Sequence, residues 1–107
     1  MNYYGKNLYE ILENEEFRKR TGMFIGENRI HTLKSFIDGF LFAEEINSVE
    51  NELFPPFENF HNWIADYFKW GESTAGWHNI ILQENNYNET LAIKSFFELF
   101  DLFRKGC

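Results

Sequence analysis

A chain of 107 residues with an apolar fraction of 44% and a formal net charge of −7 is large enough for one real core, and a single domain over 1–107 is expected. The charge excludes a general nucleic-acid binder, and no apolar run reaches membrane-spanning length. The only cysteine is Cys107, so an internal disulfide and a cysteine metal site are excluded, which fits a reducing cytoplasm. The opening stretch MNYYGKNLYEILENEE is polar and acidic and lacks the form of a secretory signal peptide.

The elements read as helices throughout. Tyr4, Leu8, Ile11 and Leu12 follow the i, i+4, i+7, i+8 spacing of one helix stripe and predict a first helix over about 6–18. Gly22 and Gly26 bracket an irregular turn that should insert Met23, Phe24 and Ile25 into the core. Asn28 is a good N-cap for a second helix reaching about Asn47, with Ile30, Leu33, Ile37, Phe40 and Leu41 on its apolar stripe. Ser48 to Phe54 forms a polar connection. Pro55-Pro56 stops one helix and can open the next, a third over about 56–69 with Phe57, Phe60, Ile64 and Phe68 inward. After the irregular stretch from Gly71 to Gly76, a short helix runs from Trp77 to Glu84. Asn88 then caps a last helix over 89–104, closed by Arg104, Lys105 and Gly106. The expected fold is all-α, a compact bundle of about five helices.

The stretch Arg18-Lys19-Arg20-Thr21-Gly22-Met23-Phe24-Ile25-Gly26, followed by Ile30-His31-Thr32-Leu33, resembles the start of the ATPase domain of gyrase B-type topoisomerases over roughly 25 residues. That resemblance implies a glutamate base and a magnesium-binding asparagine in the next helix. Aligned without a gap, these positions hold Phe36 and Phe40; shifted by one, Ser35 and Gly39. Neither register supplies a base or a metal ligand, so ATP chemistry is not expected.

Other catalytic arrangements are equally thin. His31, His61 and His78 are scattered, and no pair has the i, i+4 metal spacing. Ser73-Thr74 beside His78 reads better as a helix cap than as a nucleophile with its base. No catalysis, cofactor or metal is expected.

Charge and aromatics carry the functional reading. Residues 1–29 balance five acids with five bases. Between Lys34 and Lys69 there is no lysine or arginine, but there are seven acids: Asp38, Glu44, Glu45, Glu50, Glu52, Glu58 and Asp66. A field of one sign attracts basic partners. Aromatic residues make up 20% of the chain, too many for a core this small, so some should sit on a contact surface. Trp63 and Trp77 lie near helix stripes and are expected in the core.

The layout of Thr21–Gly26, Phe36-Ile37-Asp38-Gly39-Phe40, Phe60-His61-Asn62-Trp63, Gly76-Trp77 and Phe96–Asp101 resembles the immunity proteins of bacterial contact-dependent growth inhibition and polymorphic toxin systems. The resemblance covers most of the chain. It implies a cytoplasmic inhibitor that binds and neutralises one cognate toxin domain, commonly a basic nuclease. The expected contact residues are Asp38, Glu44, Glu45, Glu50, Glu52 and Glu58, with Glu72 and the 71–77 loop as the next choice. A regulatory or scaffolding subunit for another basic protein is the alternative. A bundle enclosing a small apolar ligand is a third.

Overall fold

Two asparagines decide how the chain begins. In the computed structural model, which describes residues 7–47, 53–71 and 74–106, Asn7 and Glu10 form a reciprocal capping box that starts α1, Leu8–Leu12. Each side chain accepts the other's backbone N–H at 2.9 Å, which satisfies amides that a helix start leaves open. Asn14 then accepts from the Phe17 N–H at 2.9 Å and opens α2, Glu15–Lys19. The single helix expected over 6–18 is therefore two, because the Asn14 side chain caps a new helix where the backbone would otherwise continue the old one.

The Gly22–Gly26 stretch also differs from expectation. It is a helical turn, α3, Thr21–Ile25, closed by Gly26 at φ +104° with its N–H donated to the Gly22 carbonyl. Met23 is 66% exposed and Phe24 41%, Phe24 resting one side of its ring on Phe17 at 5.7 Å while Ile25 packs on the core. The residue held inside is Thr21, whose Oγ1 donates to the Phe17 carbonyl at 2.9 Å.

Next comes α4, Ile30–Ile46, starting at Arg29 rather than Asn28. Its first amide, Ile30 N–H, donates to Glu89 Oε1 at 2.8 Å, so the cap comes from a distant part of the chain. A 3-10 turn, Phe57–Asn59, leads into α5, Phe60–Tyr67. α6, Trp77–Glu84, and α7, Glu89–Arg104, match their expected bounds, with the Asn88 side chain accepting from Leu91 N–H. The fold is all-α. It has seven α-helices rather than about five, and no strand among the described residues.

The core is built on α7. Ala92, Ile93, Phe96, Phe97, Leu99, Phe100 and Phe103 are all buried along it. Phe60 is fully buried against it, with ring centroids 5.6 Å from Phe96 and 5.1 Å from Phe103, and with Trp77 at 5.3 Å and Phe57 at 5.1 Å. These edge-to-face and stacked pairs add to the area that they bury. Two ion pairs tie the C-terminal half of α7 to the N-terminal helices. Arg18 donates twice to Asp101, at 2.9 and 2.7 Å, and holds that carboxyl below its ordinary pKa range by those hydrogen bonds. Arg104 donates to Glu13 at 2.8 Å and lies over the Tyr9 ring.

Gly26 is where the turn is most sensitive, since its φ lies in the left-handed region that side chains rarely adopt. Gly26→Val should cost about 1–3 kcal/mol, read as a lower chemical-denaturation midpoint. An unchanged midpoint would show that the turn carries no such constraint.

Candidate functional site: the outward half of α4

The expected contact residues can now be placed. Asp38, Glu44 and Glu45 are on α4, and Glu58 is on the 3-10 turn. Glu50, Glu52 and Glu72 lie outside the described residues. Asp38, Glu45 and Glu58 are exposed and Glu44 is half-buried. One expectation needs correction. The acids from residue 38 onward are not all uncompensated, because Lys34, one helical turn before Asp38, donates to its carboxylate. The composition count began just after Lys34 and missed the i, i+4 partner.

What the structure adds is apolar. The first half of α4 buries Ile30, Leu33 and Ile37. From Asp38 to Ile46 no residue is buried, although Phe40, Leu41, Phe42, Ala43 and Ile46 are apolar. Phe42 is 62% exposed and Ile46 61%. Asp38, Phe42, Glu45 and Ile46 follow i, i+4, i+7 and i+8, so one outward stripe alternates carboxylates with large apolar groups. Shallow grooves flank it. Leu41, Leu53, Pro56, Phe57 and Glu58 line one of about 330 Å³. Phe40, Ala43, Glu44 and Asn47 line a smaller one of about 150 Å³.

Phe42 and Ile46 were missed in the sequence because the inward stripe already accounted for α4. The available signal was the excess of apolar residues there. Phe40, Leu41, Phe42 and Ala43 are consecutive, and a helix with one buried face cannot cover four in a row. Of the two tryptophans expected inside, Trp77 is buried at 4% exposure. Trp63 sits at the edge of the core, stacked on Tyr67, where the two line a surface groove with Asp66 and Leu102.

The histidines are less scattered than their spacing implied. His31 on α4 and His78 on α6 have ring centroids 5.3 Å apart. His78 is buried, and its Nδ1 has no hydrogen-bond partner among the described residues. Gly76 makes room for the ring: at φ +86°, a Cβ there would fall 2.9 Å from His78 Cε1. Among the described residues no three His, Cys, Asp or Glu side chains group to hold a metal ion. No helix among them is long and apolar enough to cross a membrane.

No protein-family model, curated protein or solved structure matches the chain. The geometry of α4 and its surroundings therefore carries the functional argument.

Burial lowers the His78 pKa from 6.5 to about 4, helped by the charges of Lys34 and His31 and opposed by Asp38. The folded-state value lies below the unfolded one, so this contribution to stability is complete above pH 6.5. It is lost as the pH falls toward 4, because the unfolded chain takes up a proton that the folded chain refuses. The denaturation midpoint should drop between pH 7 and pH 5, and His78→Phe should flatten that drop. An equal drop in the variant would assign it to other groups.

Proposed function

We propose that the chain is a non-catalytic inhibitor of a basic protein, of the kind found in bacterial toxin–immunity pairs, and that the outward half of α4 is its binding face. One observation carries the reading: α4 continues past its last buried residue, Ile37, with Phe42 and Ile46 exposed between carboxylates. Interfaces of high affinity combine desolvated aromatic or aliphatic anchors with a polar rim. Here Phe42 and Ile46 are the anchors, and Asp38, Glu44, Glu45 and Glu58 are the rim. A nuclease domain is basic where it holds phosphate, and carboxylates presented by an inhibitor can take the place of phosphate oxygens there. The chain's net charge of −7 would speed the encounter.

A toxin domain encoded beside this chain is the partner that this reading names. A regulatory subunit for a different basic protein would use the same face. The identity of the tight-binding partner separates the two.

The test is binding of the purified chain to the C-terminal domain encoded by the adjacent upstream reading frame, measured over a range of salt. Association should slow steeply as the Debye length shortens from about 10 Å at 0.1 M salt. Phe42→Glu with Ile46→Glu should weaken binding by about 2 kcal/mol or more, the scale of an interface hot spot, with the helical circular dichroism unchanged. Glu44→Lys with Glu45→Lys should reduce the association rate and its salt dependence. Unchanged affinity in both variants would remove α4 from the interface.

A further inference from the structure

The basic stretch at residues 18–20 is not absorbed by the α4 face. It borders a groove of about 560 Å³ between α2, the start of α3 and α7, a volume typical of small-molecule sites. Arg18, Lys19 and Arg20 line one side and Lys94 the other, over a floor of Ile93 and Phe97. Four of the ten lysines and arginines of a strongly acidic chain therefore converge on one groove.

Two carboxylates share the lining, and they are not equivalent. Asp101 is held by both Arg18 nitrogens, and the Arg18 guanidinium lies 4.9 Å from the Phe97 ring centroid. That pair is a fixed wall. Glu98 is exposed and lies one turn along α7 from Lys94. Arg20 faces Glu16 at 3.6 Å in an exposed pair, of a kind that solvent screens and that is easily exchanged. Lys19 and Lys94 form no ion pair with a described residue. Lys19, Arg20 and Lys94 thus bring exposed positive charge to the groove, against Glu98 in its lining and Glu16 beside Arg20. At its far end Asn28 Nδ2 donates to Thr90 Oγ1 at 3.1 Å, which leaves the threonine hydroxyl able to donate in turn.

We infer that this groove binds a small phosphate monoester. The phosphate would sit among Lys19, Arg20 and Lys94, with the organic body against the Ile93–Phe97 floor and the aliphatic stems of the basic side chains. Both parts are needed. Exposed cations alone hold a free anion weakly in salt, while apolar contact with the floor adds affinity that a free anion cannot gain. The site shares no residue with the α4 face, so it stands or falls independently of that reading.

The probe is phenyl phosphate, titrated into the full chain and followed by amide NMR, with inorganic phosphate as the control. Saturable shifts are expected around residues 19–22 and 90–98, with phenyl phosphate binding about tenfold or more tighter than inorganic phosphate, equivalent to about 1.4 kcal/mol. Lys19→Glu with Lys94→Glu changes two exposed side chains and should abolish the shifts while leaving the melting temperature unchanged. No saturation at millimolar probe would overturn the inference. Equal affinity for inorganic phosphate, or undiminished binding by the double variant, would overturn it as well.

Discussion

The packing of Phe60 against α7 is the constraint on which the rest of the molecule depends. Its ring lies among Phe57, Trp77, Phe96, Phe100 and Phe103, so it joins the 3-10 turn, α5, α6 and α7 at one point. Rings pack with directional preferences, and a close-packed interior transmits them. With this cluster set, α7 presents Phe97 to Phe17 at 6.3 Å. It also offers Asp101 to Arg18, which positions the short N-terminal helices.

The cluster also sets where the core stops. α4 contributes Ile30, Leu33 and Ile37 to it, and beyond Ile37 the helix meets the core through half-buried Phe40 and Leu41. Its remaining apolar side chains are left half-buried or exposed. Exposed large apolar groups are ordinary when single. A set of them on one helix, interleaved with carboxylates and flanked by grooves, is the feature on which the proposed contact surface rests. The charge distribution sharpens this. Arg18, Arg20, Arg29 and Arg104 are engaged with Asp101, Glu16, Glu89 and Glu13, and on α4 Lys34 reaches Asp38.

Much of the fold was legible in the sequence where a local signal and the tertiary packing agree. The bounds of α6 and α7 followed from their periodicity and from Asn88, and Gly26 proved to need a left-handed backbone. The errors came where side chains or distant residues intervened. Asn14 split the first helix by capping a second, and Glu89 supplied the cap that Asn28 was expected to give. Met23 and Phe24, apolar by type, lie on the surface because α3 is a single helical turn that can turn only part of itself inward. For the candidate site, the acids could be read from composition. The Lys34–Asp38 pair was also legible, as an i, i+4 spacing, but the exposure of Phe42 and Ile46 depends on how far the core extends beneath α4. The meeting of His31 with His78, 47 positions apart in the chain, likewise needed the packing of α4 on α6.

The central claim is the proposal that the outward half of α4 is a binding face, and a hydrogen-exchange footprint of the complex with the adjacent-frame domain tests it most directly. In the free chain, amides from residue 38 to residue 46 should exchange faster than those from 30 to 37, because the second half of the helix holds no fully buried side chain and meets the core through half-buried Phe40 and Leu41. Addition of the partner should slow the 38–46 amides markedly and leave those of α7 nearly unchanged. Protection concentrated instead around Trp63 and Tyr67, with 38–46 exchanging as before, would contradict the account.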